Sequence, residues 1–154
     1  MKFSLTGPLL ALSCAASLSA EAAEKSSIYA MFPNIPVTNI EVSTEFYTDV
    51  FGLKVGMIIP AGATIKDAKE VILSPTEGTF DFKKSQGLLL VHADNKPTPG
   101  ERFVMKRFSV ITSDLLGIEA RAKAAGAEVT AAPNGLQIRF ITDPDQYPIE
   151  VFQP

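Results

Sequence analysis

The sequence predicts an α+β protein of two βαβββ modules forming a curled mixed sheet around a cleft. Three pairs of landmarks predict it, each pair 74 positions apart: the helix caps Asn39 and Ser113, the helix-ending glycines Gly52 and Gly126, and Val55 and Val129 in the strands that follow. A cap, a stop and a restart that recur at one offset mark an internal repeat. One such unit has a single helix and a sheet with an open face. Two units can close around a shared cleft.

Composition narrows the function classes. The 154 residues are 46% hydrophobic and 20% charged, enough for one compact core or two small fused half-domains. Net charge is −3 and the lysines and arginines are scattered. No basic stripe exists, so nucleic acid is not expected as a partner.

The first 22 residues read as a signal peptide. Lys2 precedes a short apolar run at 3–12, and Ala20-Glu21-Ala22 fits an A-x-A cleavage site. The run is too short, and too broken by Gly7 and Pro8, for an integral membrane span. Export is therefore expected, with the bacterial periplasm as destination. Cleavage removes Lys2 and Glu21 together, so the charge is unchanged, and it removes the single cysteine, Cys14. The mature chain then has no disulfide and no thiol nucleophile or ligand. In a second reading, "ALSC" is a lipoprotein box and Cys14 is lipidated.

After a polar lead-in at 23–29, a strand is expected at 30–37, where Pro33 and Pro36 confine it to an edge. Asn39 caps a helix whose apolar face is Val42, Phe46, Tyr47 and Val50, and Gly52 ends it. Strands follow at 54–59, 70–74 and 88–92. Their connecting loops, 60–69 and 75–87, are long enough to be functional or mobile. The first module thus runs over about 30–93, a proline-containing linker over 94–102, and the second module over 103–154. The second module opens with a strand at 103–112. Ser113 or Asp114 then caps a helix with Leu115, Ile118, Ala122 and Ala125 on its apolar face, and strands follow at 127–130, 136–142 and 147–152. Because the second module has the shorter loops, the first module's long loops are expected to shape any site.

The repeat, the segment "EFYTDVFGLKVG" and the ending "DPDQYPIEVFQ" together resemble the vicinal oxygen chelate superfamily, which includes glyoxalase I, bleomycin-resistance proteins and extradiol dioxygenases. The resemblance spans 30–154. It implies four metal-ligand positions, two per module. Glu150 matches the terminal carboxylate. The other positions fall on Phe32 (Met31 if the register slips by one), on Leu89 and on Arg107. A divalent ion needs several N or O donors converging at about 2 Å, and one carboxylate cannot hold it. His92, three residues after Leu89, points to the opposite face of its strand. No metal and no other cofactor is therefore expected.

Glu150 interrupts an apolar strand. Ile149 and Val151 suit packing against a helix, while Glu150 and Phe152 share the face that, by resemblance, lines the cleft. A buried carboxylate needs a partner. Arg107 is the natural one, so an ion pair is expected where the family's metal would be. Phe32, Asn34, Leu89 and Phe152 are candidate cleft walls. Asp143 and Asp145 in "DPDQYP" are read as turn formers that bond their local backbone, and Tyr47 as a core residue.

No G-x-S-x-G, phosphate loop or Cys–His pair is present, so no catalytic residue is named. The leading expectation is metal-independent binding of a small, partly apolar molecule by Glu150, Arg107, Phe32, Asn34, Leu89 and Phe152. The alternative is a metal-dependent glyoxalase-like lyase, isomerase or dioxygenase with an atypical ligand set that includes Glu150. A third reading is a partner-binding protein with a vestigial cleft. The resemblance also admits a homodimer. Ligand identity is not legible.

Overall fold

The structure, a computed structural model, describes residues 33–78, 80–81, 85–94 and 107–154. The leader with Cys14, Phe32 and most of the linker lie outside these residues. The first module comprises β1 (Asn34–Val37), α1 (Ile40–Phe51), β2 (Lys54–Ile59), β3 (Glu70–Ser74) and β4 (Leu88–His92). The second comprises β5 (Phe108–Ile111), α2 (Leu115–Ala124), β6 (Val129–Ala131), β7 (Ile138–Thr142) and β8 (Pro148–Phe152). The strands form two four-stranded mixed sheets, ordered β1-β4-β3-β2 and β5-β8-β7-β6. The permutation is the same in both. β1 runs parallel to β4 and β5 parallel to β8, with antiparallel pairing elsewhere. This is the expected α+β pair of βαβββ modules, with its strands in two sheets.

Local chemistry sets the elements. The Asn39 side chain accepts from the Val42 N–H and caps α1. Gly52 ends the helix at φ 71°, a conformation that costs glycine little, and its N–H bonds the Thr48 carbonyl. In α2 the cap is Asp114 rather than Ser113: its Oδ1 accepts from the Gly117 N–H at 3.1 Å. Ala125 is the exposed C-cap residue of α2, not part of its packed face. β1 is an edge strand, which accommodates Pro36. The strand expected from 136 begins instead at Ile138, because Pro133–Gly135 form a 3-10 turn.

A single apolar core serves both modules. Ile35, Val37, Val71, Leu73, Leu88 and Leu90 enter it from the first sheet. Ile141, Ile149 and Val151 enter from the second. Phe46, Tyr47 and Val50 of α1 and Leu115, Ile118 and Ala122 of α2 complete it. Burying each large side chain contributes about 1.5–3 kcal/mol. α1 differs from expectation in one respect. Val42 is 45% exposed, while Ser43 and Thr44 are buried. The helix is turned to present polar donors inward, and the turn before β8 receives them.

That turn joins the modules. Asp145 Oδ1 accepts from the Thr38 N–H at 3.0 Å and from the Thr38 hydroxyl at 2.6 Å. Its Oδ2 accepts from the Ser43 hydroxyl at 3.0 Å. Asp143 Oδ2 accepts from the Tyr47 hydroxyl at 2.7 Å, and its Oδ1 accepts from the Tyr147 N–H at 2.7 Å. Only this last bond is the local one expected of a turn. The others cross from the second module to the first, because the polar side of α1 offers donors the turn itself lacks. The Arg121 Nε adds a bond from α2 to the Val50 carbonyl near the end of α1.

Both carboxylates are buried. Burial raises the Asp143 pKa to about 6, against the pull of the hydrogen bonds from Tyr147 and Tyr47. Burial, and then the Asp143 carboxylate, also hold the Tyr47 phenol well above its ordinary range.

Two predictions follow from this turn. Replacing Asp145 with Ala strands three donors and should lower the unfolding free energy by about 3 kcal/mol, read by urea denaturation. For Asp143 the folded pKa lies above its ordinary 3.8. The folded state therefore holds the proton to higher pH than the unfolded chain does. The stability from this group is complete below pH 3.8 and is lost as pH rises through about 6. The stability of the protein relative to its Asp143→Asn variant should fall across that window. A flat difference would contradict it.

Candidate functional site

Strand register brings the candidate polar residues onto one face of the second sheet. Ser109 of β5 pairs with Glu150 of β8, and Glu150 pairs with Phe140 of β7. One row along, Ile111 pairs with Phe152 and Phe152 with Ile138. The opposite face carries Ile149 and Val151, both fully buried in the core. The alternation in "PIEVF" therefore turns Glu150 and Phe152 to the open side.

Arg107, the residue before β5, reaches over this face. Its Nε lies 3.1 Å from Glu150 Oε2, and its guanidinium carbon lies 5.7 Å from the centroid of the Phe140 ring. The Ser109 hydroxyl donates to the same Glu150 oxygen at 3.3 Å. The Arg107 side chain is 55% exposed and that of Glu150 is 19% exposed. The pair is thus open to solvent at its cationic end.

The first sheet is arranged differently. Leu89 pairs with Asn34 and with Ile72, opposite in facing to the buried Leu88 and Leu90. Asn34 is exposed and Leu89 half-buried. Phe80, from the long loop after β3, covers part of this face. Gly56 and Gly87 make room for it: a Cβ on Gly56 would sit 3.1 Å from the Phe80 Cβ, and one on Gly87 would sit 3.0 Å from the Phe80 ring. His92 lies at the far end of β4, paired with Val37, and its N–H bonds the Lys69 carbonyl. Among the described residues, no hydrogen bond or ion pair joins Asn34, Leu89 or His92 to Arg107 or Glu150.

A cavity of about 430 Å³ opens beside β5, between the modules. Its described walls include Tyr47, Phe51 and Leu53 at the end of α1, Leu73 and Leu88 of the first sheet, Ile118 of α2, and residues 108–112. Leu89 and Phe152, expected as cleft walls, are not among them. The cavity lies on the helix side of the first sheet, where Leu73 and Leu88 face, and not on the side of Leu89. Ser109 belongs both to its wall and to the Glu150 cluster. Sequence reading missed Phe51, Leu53 and Phe108 because each fits an ordinary core position. The available signal was the edge position of β5, which leaves one side of the strand unpaired.

The ligand positions implied for a metal do not fit one. Phe32 is outside the described residues, Leu89 has no donor, and Arg107 is a cation. Glu150 is already ion-paired with Arg107 and accepts from the Ser109 hydroxyl on the same oxygen. A guanidinium there competes with any metal ion for the carboxylate. Among the described residues, no group of three His, Cys, Asp or Glu is placed to hold an ion.

The chain matches the Glyoxalase/Bleomycin resistance protein/Dioxygenase superfamily over residues 29–151, and it belongs to that family. No curated protein is a significant match. Several solved structures share the fold. One is the trypanothione-dependent glyoxalase I of Leishmania major, 17% identical, with a TM-score of 0.58 over 84% of this chain and 87% of that one. The fosfomycin resistance protein FosX of Mesorhizobium loti is 13% identical, with a TM-score of 0.58 over 80% and 89%. A lactoylglutathione lyase of Agrobacterium tumefaciens is 20% identical, with a TM-score of 0.53 over 83% and 96%. No described helix is long and apolar enough to cross a membrane.

The exposure of the ion pair sets its energetic weight. A pair this open to water contributes little to folding. Arg107→Ala should change the unfolding free energy by less than about 1 kcal/mol in thermal or urea melts. A loss several times larger would make the pair a structural element.

Proposed function

We propose that this protein binds a small, partly apolar molecule without a metal, at the junction of the β5-edge cavity and the Arg107–Glu150 pair. The observation that carries the reading is the double position of Ser109. It lines a cavity of about 430 Å³ and donates to the ion-paired Glu150. An apolar hollow of that size with a few polar groups at one place has the form of a small-molecule site. Metal independence is supported by the guanidinium that engages the Glu150 carboxylate. We propose further that the chain is exported to the periplasm after cleavage behind Ala22, and that it works as a homodimer.

Native mass spectrometry of protein purified without chelator, then incubated with zinc, nickel or manganese, tests the reading. The expected species carries no stoichiometric metal before or after incubation. One bound ion per chain, lost in Glu150→Ala, would overturn it in favour of a metal-dependent lyase, isomerase or dioxygenase. The same spectra read the dimer. They also distinguish a chain starting at residue 23 from one lipidated at Cys14.

A further inference from the structure

The polar end of this site has a definite charge preference. Arg107 uses Nε for Glu150, and the pair is formed on a single carboxylate oxygen. The guanidinium's terminal N–H groups are not used in that contact, and the side chain is 55% exposed. Its guanidinium carbon lies over the Phe140 ring, 5.7 Å from the centroid, a contact that does not use those donors. An arginine whose Nε lies beside a carboxylate and whose end reaches solvent can present two parallel donors. That arrangement matches a carboxylate.

The apolar end lies close by. Ser109 Oγ and Arg107 Nε meet the same oxygen, Glu150 Oε2, at 3.3 and 3.1 Å. The two donors are therefore no more than two hydrogen-bond lengths apart. Ser109 is in the cavity wall, together with its neighbours Phe108 and Val110. Among the described residues that line the cavity there is no ionised side chain. Phe51, Leu53, Leu73 and Ile118 give it an apolar interior. A ligand that fills the cavity and reaches past Ser109 meets the Arg107 guanidinium.

We infer that the ligand is an amphiphilic monocarboxylic acid, its alkyl or aryl body in the cavity beside β5 and its carboxylate on the free end of Arg107. This rests on the binding reading above and names its ligand class. Glu150 stands beside Arg107 as its ion-pair partner, and its negative charge near the incoming one limits the affinity. A neutral alcohol of the same shape keeps the apolar contacts and loses the charged pair.

The test uses 4-phenylbutyrate and 4-phenylbutan-1-ol with the full folded protein, by calorimetry or ligand-observed NMR. The acid should bind at least tenfold more tightly than the alcohol. Arg107→Met should bring the acid down to the level of the alcohol and leave the alcohol unchanged. Glu150→Gln breaks the same ion pair but should tighten the acid severalfold, which separates anion recognition from mere loss of the pair. Val110→Trp, which fills the cavity, should abolish binding of both. Equal affinities for acid and alcohol, untouched by Arg107→Met but lost in Val110→Trp, would overturn the carboxylate inference and leave the binding reading standing. Binding of either probe that Val110→Trp does not alter would overturn both, as would no binding of either probe.

Discussion

Asp143 and Asp145 lie in one short turn, yet their carboxylates accept from α1 and its approach 96 to 107 positions earlier in the chain. The orientation of α1 follows from this. Ser43 and Tyr47 are buried, and a buried hydroxyl without an acceptor is costly. The turn supplies those acceptors, so α1 faces Ser43 and Tyr47 inward and Val42 outward. With α1 set at that angle, the Tyr47 ring lies 6.4 Å from Phe108 of β5 and 5.8 Å from Phe51. The same aromatic group then forms one wall of the cavity beside β5. A polar contact between modules thus positions the apolar site.

Much of this was legible in the residues. The Asn39 cap, the helix-ending glycines and the period-two strands depend on neighbours a few positions away, and β2, β3 and β4 fall where alternation puts them; the second cap falls one residue past the Ser113 of the repeat, at Asp114. The Arg107–Glu150 pair was legible because alternation turns Glu150 away from Ile149 and Val151, and because the family resemblance puts Arg107 at a ligand position beside it. The across-module bonds of Asp143 and Asp145 were not. An aspartate in a turn has a sufficient local explanation in the backbone N–H two or four residues on, and Tyr147 does supply one. Nothing local reveals a second set of donors on a distant helix. Val42 was misplaced for the same reason: an apolar stripe assumes an apolar neighbour, and part of α1 instead meets a polar turn. The cavity was hidden because its walls are residues that any core would contain.

The two modules share a topology but not an open face. In the first, Phe80 rests against Gly56 and Gly87, and Ile72 beneath that face is almost fully buried. In the second, the corresponding face carries Ile111, Phe152, Phe140 and the Arg107–Glu150 pair, with Ile111 68% exposed. The long loop of the first module was expected to shape the site. Pro75, Gln86 and Gly87 of that loop do line the cavity, and through Phe80 the loop also covers its own sheet. That leaves the polar group of the pair as a property of one half only. A repeated fold has in this way become a molecule with one distinct side.

The long reach of the inter-module turn also bears on the order of events as the chain is made. β1 and α1 leave the ribosome early, but the acceptors that Thr38, Ser43 and Tyr47 require are at residues 143 and 145. Contacts of such separation close late, because the loop between them must first be brought together. The first module alone does not hold the acceptors that its helix uses. A chain that ends before the DPDQYP turn therefore lacks the acceptors of Thr38, Ser43 and Tyr47, and its first module has those polar groups unpaired.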